Sequence, residues 1–189
     1  MSLKEAEAAF NALNPVPFPL PLGPWAEIVE GAFLGMQKRD WIIPGPRGRI
    51  GATLRGCPPE RLIDPQSGAK PYKIAPSSMD PAARAIHAVG IALGSGQPVL
   101  VILGMAAEAN GALTEAYNLV ALTGVVVIFV LIRQELTDDA PISRQSAADP
   151  EKLAAAYGLS TITVSGSAVQ KAVAKARKSG QSTLIIANL

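Results

Sequence analysis

Residue types on which metal centres and covalent catalysts often depend are scarce in this chain. Among its 189 residues there is one cysteine, Cys57, and one histidine, His87. A single cysteine excludes an intramolecular disulfide and offers no metal-ligand cluster. It also fits a reducing compartment, and the N-terminus carries no apolar segment typical of a secretory signal, so we expect a cytoplasmic protein.

Long hydrophobic runs and a large surplus of one charge are also missing. The longest apolar run, 119–132, is shorter than the roughly 20 residues that cross a bilayer. The 17 basic and 15 acidic residues leave a net charge of +2. The most basic cluster, 171–178, alternates with apolar positions as a solvated helix face does. We therefore predict neither a membrane nor a nucleic-acid partner.

Common catalytic motifs are absent as well. The chain has no phosphate-binding P-loop, no GxSxG and no GxGxxG. His87 lies between Ile86 and Ala88 in an apolar helical pattern, which favours a packed or capping histidine over a catalytic base. The residues alone therefore assign neither a catalytic side chain nor a metal ligand.

Hydrophobic residues are plentiful, at 49% of the chain, which is enough for one sizeable core. We predict an N-terminal helix and proline-rich connector over 1–25 and a single domain over 26–189. Apolar spacings of three and four residues predict helices, whereas short β-rich runs predict buried strands. The predicted helices are 2–13, 25–36, 81–93, 111–122, 150–157 and 168–178, with short ones near 48–55 and 58–63, and the predicted strands are 99–103, 125–131, 161–164 and 183–186.

The order of these elements predicts the fold class. Strands alternate with helices at the spacing that right-handed crossover connections need. Such an alternation places helices on both faces of a sheet whose strands run mostly parallel. We therefore predict an α/β protein with three layers, α/β/α.

Several segments, in one order along the chain, carry a resemblance to a known family. They read DWIIPGPR at 40–47, LRGCP at 54–58, AVGIA at 88–92, VLVILGMAAEANG at 99–111, TEAYNL at 114–119, VIFV at 127–130, AAAYGL at 154–159 and VSGSAV at 164–169. Together they resemble the alpha subunit of thiamine-diphosphate-dependent 2-oxoacid dehydrogenases, the pyruvate and branched-chain 2-oxoacid type. The resemblance covers residues 26–189 and implies a thiamine-diphosphate-binding-like fold, here as a trimmed core of the family's chain.

The family's metal motif, GDG after one strand and NN after a later one, is altered here. Gly104 keeps the first glycine, but Met105 replaces the aspartate and Ala106 the second glycine. Arg133 and Gln134 stand where the two asparagines would be. The resemblance implies thiamine diphosphate as the cofactor. Because a thioether is a poor ligand for magnesium, the substitutions predict impaired metal-assisted binding.

Arg47 falls on the family's diphosphate-contacting arginine. Together with Arg49 and Arg55, it is predicted to offer charge-assisted hydrogen bonds to a phosphate without a metal, and an ordinary surface or structural arginine is the alternative. Glu108, in the same loop as Met105, is either a substitute metal ligand or a solvated carboxylate. The cofactor-binding candidates are Arg47, Gly104, Met105, Ala106 and Gln134.

The resemblance also implies a partner, since the family's cofactor sits between alpha and beta subunits and a beta-subunit glutamate activates it. We expect either a beta-type dehydrogenase subunit or self-association through the Gly-Ala-rich helix 81–93. Our first hypothesis is a divergent alpha-type subunit with a structural, regulatory or altered ligand-binding role. The alternatives are a working alpha subunit for oxidative decarboxylation of a 2-oxoacid, and a flavodoxin-like nucleotide-binding module.

Overall fold

Five parallel strands form the centre of the computed structural model, which describes residues 2–13, 21–64, 68–134, 141 and 144–189. The strands are β1 (Trp41–Ile43), β2 (Val99–Gly104), β3 (Val127–Arg133), β4 (Ser160–Ser165) and β5 (Thr183–Asn188). Their order across the sheet is β1-β2-β3-β5-β4. The helices are α1 (Leu3–Leu13), α2 (Ala26–Gly35), α3 (Gly45–Gly48), α4 (Pro81–Ser95), α5 (Gly111–Thr123), α6 (Pro150–Ala156) and α7 (Val169–Ser179).

Helices cover both faces of the sheet and bury two hydrophobic clusters. Strand residues alternate between the faces, so that Leu100 and Ile102 pack with α1, α2 and α7, whereas Val101 and Leu103 pack with α4, α5 and α6. The predicted three-layer α/β fold is confirmed, and every neighbouring strand pair is parallel. The flavodoxin-like alternative is wrong, because that architecture orders its strands 2-1-3-4-5.

Side-chain caps fix where the helices of the second half begin. Asp80, Asn110 and Asp149 each accept a hydrogen bond from a backbone N–H in the first turn of α4, α5 and α6. Pro81 at the start of α4 has no N–H to leave unpaired. No helix in the described part of the chain is both long and apolar enough to span a membrane.

The edge strand β1 is the strand of the sheet that the sequence did not predict. It has three residues and lies in a stretch rich in proline, glycine and arginine, where only short helices near 48–55 and 58–63 are predicted. Its ladder to β2 pairs Ile42 with Leu100, while Ile42 also exchanges backbone hydrogen bonds with Lys73 and Ala75 on its other side. Long-range pairing therefore stabilises a strand that is too short to show a sequence pattern.

The N-terminal helix packs on the same core as the sheet. Leu3, Ala6 and Phe10 of α1 are buried in the cluster that α2 and α7 cover. Most of the predicted connector, 14–20, lies outside the described residues, and the division of the chain at residue 25 stays a prediction.

Candidate functional site

A pocket of about 390 Å³ opens where β1, β2 and β3 end. In open parallel sheets, ligands bind in the crevice outside the carboxyl ends of the strands. The pocket's volume lies in the range of small-molecule sites. Its walls come from the segment before α2, the loop after β1, the start of α4 and the ends of β2 and β3: Trp25, Pro44, Gly45, Pro46, Arg47, Met79, Pro81, Arg84, Ile102, Gly104, Ala106, Ile132 and Gln134.

Strand register brings the two halves of the altered motif together. Gly104 pairs with Ile132 at the ends of β2 and β3, so Met105 and Arg133 follow at the same level of the sheet. The backbone of Met105 begins a short 3₁₀ helix that ends at Ala107. Four of the five predicted site residues, Arg47, Gly104, Ala106 and Gln134, line one pocket. That they bind a cofactor stays a prediction.

Arg47, Trp25 and Gln134 form a connected row along one wall. The Arg47 guanidinium lies over the Trp25 ring, with 4.5 Å between its carbon and the ring centroid. The Trp25 indole N–H donates a hydrogen bond to the Gln134 side-chain oxygen at 3.1 Å. Stacking leaves the edge of a guanidinium able to donate hydrogen bonds. This row therefore orients Arg47 at the pocket while engaging the amide oxygen of Gln134.

A second arginine, Arg84, lines the pocket and was not identified from the sequence. It belongs to the first turn of α4 and is 6% exposed. One terminal nitrogen, Nη1, donates to the backbone oxygen of Ser78 at 2.9 Å, whereas Nε is buried without a hydrogen-bond partner. Its position between Ala83 and Ala85, as a lone charge on an otherwise buried helix face, is the signal that could have found it.

Arg49 and Arg55 have structural roles, which corrects the expectation that they join Arg47 at a phosphate. Arg49 lies over the Phe10 ring at 4.9 Å and so holds α1 against the domain. Arg55 donates to the backbone oxygens of Asp40 and Tyr72 at 2.8 Å and 3.1 Å. Neither residue lines the pocket. The prediction of a packed or capping His87 is also wrong, because His87 is exposed on α4.

Comparisons with known proteins agree with the resemblance found in the sequence. No family model matches the chain. It is similar to the 3-methyl-2-oxobutanoate dehydrogenase subunit alpha of Mycobacterium tuberculosis, with 28% identity over 175 residues that cover 82% of this chain and 48% of that protein. The chain therefore spans about half the length of the curated relatives it matches. The predicted resemblance is confirmed as a distant relationship.

Solved structures extend the comparison to the fold. Transketolase from Campylobacter jejuni matches with a TM-score of 0.68 and 16% identity over 99% of this chain and 36% of its own. An enzyme from Mycobacterium smegmatis described as thiamin diphosphate-dependent matches with a TM-score of 0.62 and 17% identity over 86% of this chain and 31% of its own. The fold is that of thiamine-diphosphate-binding domains. At these identities the match concerns the fold alone.

The donor set of this thiamine-diphosphate-binding fold does not suit magnesium. Hard divalent cations take oxygen ligands, above all carboxylates. Here the motif positions carry a thioether and a methyl group at Met105 and Ala106, and the Gln134 amide oxygen already accepts the Trp25 N–H. Within the described ranges, no group of three or more histidine, cysteine, aspartate or glutamate side chains could hold a metal ion. The pocket's arginines, in contrast, suit an anion.

Glu108, the candidate substitute metal ligand, is buried beside Arg133. Its side chain is 3% exposed, and its Oε1 atom lies 3.9 Å from Nη2 of Arg133 without a hydrogen bond. Burial raises the pKa of the Glu108 carboxyl, although the neighbouring Arg133 opposes this shift. Glu108 does not line the pocket. It is therefore a buried carboxyl held against an arginine, neither a solvated group nor a pocket ligand.

Replacing Glu108 with glutamine is expected to raise the free energy of unfolding at pH 7. Because the pKa of Glu108 is raised in the folded state, the unfolded chain binds fewer protons than the folded chain in the window just above pH 4.5. The ionised Glu108 therefore lowers the free energy of unfolding as the pH rises through this window. Urea unfolding at pH 4 and pH 7 checks this. The free energy of unfolding of the Glu108→Gln variant should exceed that of the wild type by less at pH 4 than at pH 7. An equal excess at both pH values would contradict the raised pKa of Glu108.

Proposed function

We propose that this chain is a divergent alpha-type subunit of the 2-oxoacid dehydrogenase kind that keeps the ligand pocket of its fold without metal-assisted cofactor binding. The observation that carries this proposal is the pocket itself, which lies at the ends of β1, β2 and β3 between the two altered halves of the motif. Met105 stands there in place of the motif's aspartate, and the amide oxygen of Gln134, in place of an asparagine, accepts the Trp25 N–H. Its role is then structural, regulatory or that of a site for a different ligand.

A working alpha subunit for oxidative decarboxylation is the second candidate, and Arg47 favours it. This arginine lies at the resemblance's diphosphate position and lines the pocket. Its test is a decarboxylation assay on the chain co-expressed with a beta-type dehydrogenase subunit. Activity that Arg47→Ala abolishes would support it, and a complex that forms but stays inactive would leave the divergent role.

Association with a beta-type subunit is part of both candidates, and the exposed face of α4 is our proposed contact surface. Leu93 on this helix is 55% exposed, and the neighbouring Gly90 and Gly94 have open space around the position of a side chain. An exposed leucine beside two glycines lets another helix approach closely. A second copy of this chain is the other occupant of this face.

The test is light scattering of the chain alone and mixed with a beta-type subunit. We expect a complex that Leu93→Glu weakens without lowering the melting temperature of the isolated chain, because Leu93 already faces solvent. Leu34→Glu on α2, which alters a leucine exposed to 48% in the other helical layer, is the matched control. A chain that stays monomeric with and without the beta-type subunit would contradict the subunit role.

A further inference from the structure

Two guanidinium groups share the pocket. Arg47 and Arg84 both line it, and none of the lining residues in the described part of the chain is acidic. The remaining wall is mostly apolar and includes Ile102 and Ile132. The electrostatic field of such a pocket favours a negatively charged group, and its low polarity strengthens every charge interaction inside it.

Arg84 is buried at a cost that the carboxylate of Asp80 offsets only in part. Asp80 is the acidic neighbour, but its carboxylate accepts the Ala82 N–H at 2.8 Å as the cap of α4 and forms no ion pair with Arg84. Desolvation lowers the pKa of Arg84 to about 10, although the charge of Asp80 opposes this shift, so the group remains charged at neutral pH. A buried charge that forms no ion pair is unfavourable in a protein interior, and a bound anion would lower that cost.

The loop after β1 is shaped around this guanidinium. Gly45 has a φ of +69°, a left-handed conformation that glycine adopts without strain. A Cβ atom at Gly45 would lie 3.1 Å from the Arg84 guanidinium carbon, which is tighter than an ordinary contact. The Gly45 N–H donates to the buried hydroxyl of Ser77 at 3.2 Å and so fixes the loop. The loop therefore leaves Arg84 room at the pocket wall.

We infer that Arg84 acts with Arg47 as a direct, metal-independent binding site for the phosphate or diphosphate group of a small organic ligand. Arg84 supplies one guanidinium group from the start of α4, and Arg47 supplies a second one from α3. The apolar wall then receives the body of the ligand. This inference rests on the proposed function, which identifies the pocket as the ligand pocket of the fold. The two arginines supply the positive charge that a metal ion would otherwise provide.

In the experiment, the full chain is titrated with inorganic diphosphate in the presence of EDTA, and binding is measured by calorimetry. We expect saturable binding to one site. Arg84→Met keeps the length of the side chain and should weaken diphosphate binding on the order of tenfold to a hundredfold, as loss of charge-assisted hydrogen bonds does. Arg84→Lys keeps the positive charge but not the paired N–H donors of a guanidinium. Its affinity for diphosphate should therefore lie between those of the wild type and Arg84→Met. Arg39→Met, at an exposed arginine before β1, is the matched control and should bind as the wild type does.

Thermal unfolding of the same variants separates binding from folding. Because Arg84→Met removes a desolvated charge that forms no ion pair, we expect it to unfold no earlier than the wild type. Equal diphosphate affinity of the wild type and a folded Arg84→Met variant would overturn the inference, and so would an absence of binding to the wild type in EDTA. Either failure leaves the association with a beta-type subunit untouched, and a failed association leaves diphosphate binding untouched.

Discussion

Restoring the carboxylate and the shorter amide of the motif, by Met105→Asp together with Gln134→Asn, is expected to make thiamine diphosphate binding depend on magnesium. The two positions follow β2 and β3, whose ends lie level in the parallel sheet, so both new side chains are attached at the edge that bounds the pocket. A carboxylate and an amide oxygen are the ligands that magnesium takes. We expect magnesium to raise the affinity of the double variant by about tenfold or more, and that of the wild type by less than about twofold.

The matched control for this change is Met105→Leu with Gln134→Asn. It alters the same two positions but supplies no carboxylate, so it should show no such response to magnesium. Calorimetric titration of all three proteins, each in EDTA and in magnesium, provides the measurement. A wild-type protein that already needs magnesium, or a double variant that still binds diphosphate yet ignores the metal, would contradict the account of the altered motif.

Replacing Asp40 with alanine is expected to lower the free energy of unfolding by about 3 kcal/mol. Asp40 is fully buried between α2 and β1, where its carboxylate accepts the Gln37 N–H at 2.8 Å. It also accepts hydrogen bonds from Nε and Nη2 of Arg177 on α7, the latter at 3.1 Å. This ion pair joins the start of the edge strand to a helix from the far end of the chain.

Chemical unfolding followed by circular dichroism measures this loss. Glu30→Ala, at an exposed carboxylate on α2, is the control and should change the free energy of unfolding by less than about 0.5 kcal/mol. The Arg177 side chain is 16% exposed and can turn partly to solvent once Asp40 is gone, which keeps the loss at the lower end of values for broken buried pairs. A loss below about 1 kcal/mol would refute the structural role of the pair.

The strands that could be predicted from the sequence are those with enough apolar residues to form a pattern. The runs at 99–103 and 183–186 were found because buried parallel strands are continuously hydrophobic. The carboxyl ends of the parallel strands β2 and β3 meet at one edge, which is why Gly104 and Gln134 line the same pocket. The predicted strand 125–131 began two residues too early and stopped short of Arg133, because its periodicity does not mark where pairing with β2 and β5 ends.

The arginines show where sequence reasoning ends. Arg49 and Arg55 were grouped with Arg47 because they are close in sequence, but the 3₁₀ helix over Arg49–Arg55 turns them to other surroundings. Arg84 is far from Arg47 in the sequence, and only the packing of α4 on β2 brings it to the same pocket. Trp25 likewise contacts Gln134 across 109 positions of sequence. Side-chain position at a site depends on tertiary contacts that no local pattern contains.

The most direct measurement of the central claim is a calorimetric titration of the wild-type chain with thiamine diphosphate, once in EDTA and once in magnesium. A pocket that holds the anion through Arg47 and Arg84 predicts binding in EDTA, with an affinity that magnesium changes by less than about twofold. Binding that appears only when magnesium is added would contradict it. That result would mean that oxygen ligands for the cation exist at the ends of β2 and β3 after all.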